Sequence, residues 1–156
     1  MTAEALLEEL NSDAAYVERQ QEKARRVLQR ESEWRTVFAP YAAAINQAGY
    51  SGDTLHDILA NNTPLDPPIV KILLRAVTEI HAPRDAEMIV RALAASGVPY
   101  NASALAELFE KTDDESLKWA CINTIATSTA THIDKWLTEL PEYWLSVLRD
   151  CRNRQT

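Results

Sequence analysis

The sequence predicts an all-α fold: an α-solenoid of stacked antiparallel helical hairpins behind N-terminal capping helices. Three observations carry this expectation. Glycine occurs only three times in 156 residues, at Gly49, Gly52 and Gly97, which leaves glycine-turned β architectures and phosphate-cradling loops almost without material. Apolar residues recur at intervals of three and four, the spacing that puts one stripe on one helix face. Prolines sit at the ends of these segments, where a missing N–H costs no hydrogen bond. The length suits one ordinary domain, and 46% hydrophobic with 25% charged residues are globular proportions. Residues 1–156 are therefore expected to form a single domain.

Residues 67–96 give the clearest hairpin. Asp66-Pro67 reads as an N-cap carboxylate followed by proline at the first helical position, and Ile69, Val70, Leu73, Leu74, Val77 and Ile80 form one stripe. Pro83 opens the second helix, with Ala86, Ile89, Val90 and Leu93 inward, and Gly97 is expected to close it with a positive φ. Residues 101–127 repeat the pattern. Asn101 reads as a helix cap, Leu105, Leu108 and Phe109 face inward, and Thr112-Asp-Asp-Glu115 fits a capping box that starts a second helix reaching about Thr127. Residues 131–152 give the third pair, started by Thr131 and Pro141, with Ile133, Trp136, Leu137, Leu140, Trp144, Leu145, Val147 and Leu148 inward. Hairpins recurring at roughly 30–35 residues mark a solenoid, in which each unit buries its apolar face only against a neighbour.

Residues 1–62 read as N-terminal capping helices. A short amphipathic helix runs from Met1 to Leu10, a long charge-rich stretch from Asp13 to Gly49 that Pro40 would break, and a short helix from Asp53 carries Leu55, Ile58 and Leu59. Four or five helices are expected ahead of the three pairs. In the long stretch Ala24, Val27, Trp34, Phe38, Tyr41 and Ile45 trace a stripe, while Glu22 with Arg26 and Glu31 with Arg35 are spaced for ion pairs on a solvated face.

Sixteen Lys and Arg against 23 Asp and Glu give a net charge of −7, the wrong sign for neutralising phosphates, so neither nucleic acid nor an anionic membrane is expected as a partner. Between Asn101 and Glu142 three basic residues face eight acidic ones, a balance of −5, and such a surface steers a basic protein partner. Cys121 and Cys151 are too few for a disulfide scaffold and lack C-x-x-C spacing, so they read as reduced thiols. The first ten residues carry acids where a leader peptide needs bases, and no apolar run is long enough to span a bilayer. A cytoplasmic location is expected.

Asp114 to Ala126, Asp-Glu-Ser-Leu-Lys-Trp-Ala-Cys-Ile-Asn-Thr-Ile-Ala, resembles the second helix of a HEAT repeat, in which an aspartate precedes V-R-x-x-A-x-x-A-L. Leu117 takes the branched position, Lys118 the basic one, Cys121 and Thr124 the two small ones and Ile125 the closing leucine. Ile89-Val90-Arg91 echoes the pattern one unit earlier. The resemblance covers residues 67–152, with Lys118 for arginine and Cys121 and Thr124 for two alanines as departures. It implies that Cys121 and Thr124 let the two helices of one unit approach closely. It also implies a concave, macromolecule-binding face lined by the second helices. Carried onto this chain, the outward positions are Glu87 and Arg91, then Ser116, Trp119 and Asn123, then Ser146. Trp119 is the sharpest of these, since a tryptophan ringed by polar groups has hot-spot composition; the competing expectation is that stacking buries it.

Asp53-Thr-Leu-His56-Asp57 places a carboxylate and an imidazole within one turn but offers no nucleophile, and His81 and His132 fit structural roles at helix ends. Asp113, Asp114 and Glu115 could hold a divalent cation, yet first-turn capping explains them more simply. The basic cluster Lys23, Arg25, Arg26 and Arg30 is nearly cancelled by interleaved glutamates. Trp34, Trp136 and Trp144 lie on apolar stripes and read as core. No catalytic residue, metal ligand or cofactor is expected.

The leading expectation is a non-catalytic protein-binding module. It would act as a cytoplasmic adaptor or an immunity-type inhibitor, recognising a basic protein through a concave acidic face that includes Asp113, Asp114 and Glu115. The alternatives are a small helical-repeat enzyme, such as a HEAT-like DNA glycosylase or pigment lyase, and a self-associating structural solenoid. The oligomeric expectation is a monomer or weak homo-oligomer.

Overall fold

The computed structural model describes residues 2–155, apart from the side chains of Leu10 and Asn11. The periodic segments become α1 (Ala3–Ser12), α2 (Ala14–Gln47), α3 (Leu55–Asn62), α4 (Pro67–Glu79), α5 (Pro83–Ala92), α6 (Ser103–Lys111), α7 (Glu115–Thr127), α8 (Asp134–Glu139) and α9 (Glu142–Asn153). The fold is all-α among the described residues, with one addition, a pair of two-residue strands, β1 (Tyr100–Asn101) and β2 (Ala130–Thr131). The chain divides into two compact units, Met1–Val37 and Phe38–Thr156.

The first unit holds α1 and the N-terminal part of α2. The expected helix start at Met1 lies outside the described residues. Asp13 is the single residue between the two helices, and its Oδ1 accepts the N–H of Ala15 at 2.9 Å and of Tyr16 at 3.3 Å, the work of an N-cap. Glu22 accepts from both Arg25 and Arg26, and Glu31 from Arg35, so the expected ion pairs form. The apolar stripe is exposed here at Ala24 and Val27 and half-buried at Trp34.

In the second unit the same stripe becomes core: Phe38, Tyr41, Ala42 and Ile45 are buried. Pro40 lies inside α2 without breaking it, which corrects both the expected break and the rule that prolines mark only helix ends. Proline in a helix interior costs about 3 kcal/mol, and the apolar residues buried around it offset that cost while Pro40 itself faces solvent. With α2 continuous, three helices precede α4 among the described residues, fewer than expected.

Several caps sit one or two residues from their expected positions. Thr54, not Asp53, caps α3 by accepting the Asp57 N–H at 3.1 Å. Asp66 occupies the N-cap of α4 but makes no capping bond; its Oδ2 accepts the Tyr50 hydroxyl at 3.1 Å. Asn101 lies in β1 and takes the Ser103 N–H at 3.0 Å, with Ala102 at the N-cap of α6. Asp114 rather than Thr112 caps α7, accepting the Leu117 N–H at 2.8 Å. Thr131 donates its hydroxyl to the Tyr100 carbonyl at 2.8 Å, which leaves Ile133 at the N-cap of α8, and Pro141 is the N-cap of α9 rather than its first residue. Gly97 does not have a positive φ, because α5 winds down through a 3-10 turn at Leu93–Ala95 and needs no left-handed residue. Glycine is needed there for space, since a Cβ would meet the Pro64 Cβ at 2.9 Å.

Within the second unit α4 packs on α5 and α6, α6 on α7, and α7 on both α5 and α9. The loops ahead of these helices are tied in succession. Leu65 bridges in parallel to Ser96, with Leu65 N–H to Ala95 O at 2.8 Å and Gly97 N–H to Leu65 O at 3.0 Å, while β1 pairs in parallel with β2. Cys121 and Thr124 are fully buried, and the Thr124 hydroxyl donates to Val90 O at 3.0 Å. The Thr124 hydroxyl thus ties α7 to α5. Burial pushes the Cys121 thiol up to about 12 from an ordinary value of 9.0. A raised folded value leaves the stabilisation intact below the unfolded value and removes it as pH rises toward the folded one. Between about pH 9 and pH 10 unfolding free energy is expected to fall by about 1 kcal/mol more in the wild type than in Cys121→Ala, as read from urea titrations at each pH.

Candidate functional site

The helix α7 is buried around most of its circumference. Leu117, Ala120, Cys121, Ile122, Thr124 and Ile125 face inward, and at 100° per residue they leave one narrow outward arc. Glu115, Ser116, Trp119 and Asn123 occupy that arc, the first three exposed and Asn123 half-buried. Trp119 keeps 41% of its surface exposed, which excludes the expectation that stacking buries it.

Trp119 is nonetheless held. Its ring stands edge-to-face against Trp144 of α9, with centroids 5.8 Å apart and planes at 72°, and Tyr143 meets the same Trp144 at 5.0 Å and 73°. Trp144 is 8% exposed and packs in turn on Phe109 at 5.2 Å, and Phe109 on Trp136 at 5.4 Å. Trp136 is half-buried, fixed through its indole N–H to Glu110 Oε1 at 2.8 Å, and the Lys118 ammonium lies 5.4 Å from the Phe109 centroid. Two exposed aromatics, Trp119 and Tyr143 at 61%, thus stand on a packed aromatic row whose edge-to-face geometry restrains their rings.

Toward α5 the surface is polar and linked. The Glu87 Oε1 accepts Arg91 Nε at 2.8 Å and Nη2 at 2.7 Å, and Glu87 Oε2 accepts the Ser116 hydroxyl at 2.8 Å. This joins α5 to α7 and neutralises the Glu87 charge locally. Met88, the next residue on α5, is exposed, as is Ser146 on the same arc of α9 as Tyr143.

The acidic trio separates. Glu115 lies one turn before Trp119 on the outward arc, and Asp114 is occupied as the α7 cap. Asp113 lines a groove of about 410 Å³ between α4, α6 and the start of α7, beside Thr78, His81, Glu107 and Lys111. Among the described residues no three His, Cys, Asp or Glu side chains come together in an arrangement that could hold a metal ion, and no helix is long and apolar enough to cross a membrane. His56 is exposed, and His132, at φ 64°, shares a 2.8 Å hydrogen bond with the Thr131 hydroxyl.

Sequence reasoning brought out Trp119 and the Glu87, Arg91 and Ser116 set but missed Tyr143 and Met88. Tyr143 had a legible signal: it precedes a core tryptophan on an amphipathic helix and so falls at its solvent edge. No family model matches the chain, and no curated protein or solved structure does.

Proposed function

We propose that the chain is a protein-binding module. The pairs α4–α5, α6–α7 and α8–α9 are stacked antiparallel hairpins of a HEAT-like solenoid, and the second helices α5, α7 and α9 present the recognition face. The succession of α5 on α7 on α9, with α4 on α6, supports this stacking, as does the parallel tying of the loops. The observation that carries the functional reading is the exposed Trp119, seated on Trp144 beside the exposed Tyr143 and bordered by Ser116, Asn123 and Ser146. Restrained aromatics inside a polar rim lose little side-chain entropy on binding and supply large contact area. The acidic excess between Asn101 and Glu142 favours a basic protein, which the module masks as an inhibitor or bridges as a cytoplasmic adaptor.

A photo-reactive residue at Ser116 or Ser146 should crosslink the partner, whereas the same group at Thr78, in the groove between α4 and α6, should not. With the partner in hand, Trp119→Ala is expected to weaken binding by about 2 kcal/mol, roughly 30-fold. Calorimetry checks it, and full affinity in both Trp119→Ala and Tyr143→Ala would end the reading. Replacing Asp113, Asp114 and Glu115 by their amides should slow association and flatten its salt dependence while leaving dissociation near wild type.

A further inference from the structure

The first unit carries two complementary surfaces. α1 is acidic, with Glu4, Glu8 and Glu9, and exposes Leu6 and Leu7. Residues 19–30 of α2 carry Arg19, Lys23, Arg25, Arg26 and Arg30 against Glu22, with Glu18, Glu31 and Glu33 at the ends of the segment and Glu31 taken by Arg35, and expose Val27 and Leu28. Glu22 is taken by Arg25 and Arg26. Glu4, Glu8 and Glu9 on one side, and Arg19, Lys23 and Arg30 on the other, form no ion pair among the described residues.

The two surfaces cannot meet within one copy. Folding a helix back on its neighbour takes about 2–8 connecting residues, and Asp13 is one residue, already engaged as the cap of α2. A second copy meets the requirement. Antiparallel alignment brings α1 of each copy to the basic segment of the other, making the same contact twice about a two-fold axis. Parallel alignment instead sets basic segment against basic segment.

We propose that this face is an interface between two copies of the chain, in which α1 of each lies antiparallel on residues 19–30 of the other. Leu6 and Leu7 of α1 cover Val27 and Leu28, and the glutamates of α1 neutralise Arg19, Lys23 and Arg30. The inference is independent of the aromatic face on α7 and α9.

Sedimentation of the full chain tests it. The wild type should show a concentration-dependent mass that approaches twice the chain mass and falls as salt is raised. One variant carries Glu4→Lys, Glu8→Lys and Glu9→Lys, another Arg19→Glu, Lys23→Glu and Arg30→Glu. Each should be monomeric with an unchanged helical circular-dichroism signal. Mixing the two should restore the doubled mass, since each α1 then meets an oppositely charged segment, and this arm separates a lost interface from a misfolded chain. A monomeric wild type at every concentration, single variants that keep the wild-type mass, or a mixture that stays monomeric would overturn the proposal.

Discussion

Ile122→Ala is expected to lower the unfolding free energy by about 2–5 kcal/mol, the cost of removing a buried isoleucine and leaving a cavity. Ile122 is fully buried on α7, the helix that packs against α5, α6 and α9. The side chain has no solvent-exposed surface, so the cavity left behind is closed, which places the loss toward the upper part of that range. Ile122→Val should cost only about 1 kcal/mol, and Ser116→Ala, on the exposed arc of the same helix, less than about 1 kcal/mol. Urea unfolding followed by circular dichroism reads all three. An Ile122→Ala midpoint close to the wild type would mean that α7 is not the centre of the core.

Gly52→Ala is expected to cost about 3 kcal/mol, backbone strain and overpacking together. Gly52 has φ +150°, and a Cβ built on it would lie 2.6 Å from Ile58 Cγ1, 2.7 Å from Ile58 N and 2.9 Å from Ile58 Cα. Two of these three atoms are backbone of α3, so a side-chain rotation cannot relieve the clash. The loop has little room to move. Asn46 Nδ2 donates to Gly52 O at 2.7 Å, and Asn62 Nδ2 to Ser51 O at 3.0 Å. Gly49→Ala is the control: its φ is +95° but nothing lies within 4 Å of the added Cβ, so only the left-handed penalty of about 1–2 kcal/mol applies. Equal losses at the two glycines in thermal or urea unfolding would show that the contact with Ile58 is not what fixes Gly52.

The sequence makes helix positions legible and their ends less so. Pro67 and Pro83 open α4 and α5 where their fixed φ and missing N–H suggest. Cap identity fails at Thr112 and Asp53 because several oxygen-bearing side chains lie within two residues of each helix start, and only the backbone angles choose among them. Pro40 misleads for a different reason: local propensity argues for a break, and burial of Phe38, Tyr41 and Ile45 overrides it. The strands at Tyr100 and Ala130 are two residues long, too short for any alternation to register. At the site, the resemblance implied Ser116, Trp119 and Asn123 as outward positions of one helix. It could not show that Trp144 of α9 would seat Trp119, because that contact depends on the tertiary packing of α9 on α7.

On the proposed function, a partner binds the aromatic face of α7 and α9. The four tryptophan indole N–H signals, followed by nuclear magnetic resonance while the crosslinked partner is titrated in, test it most directly. The Trp119 signal should shift or broaden first, Trp144 should follow through its ring contact, and Trp136, fixed to Glu110, should move least. A saturated complex in which the Trp119 indole keeps its free position would contradict it.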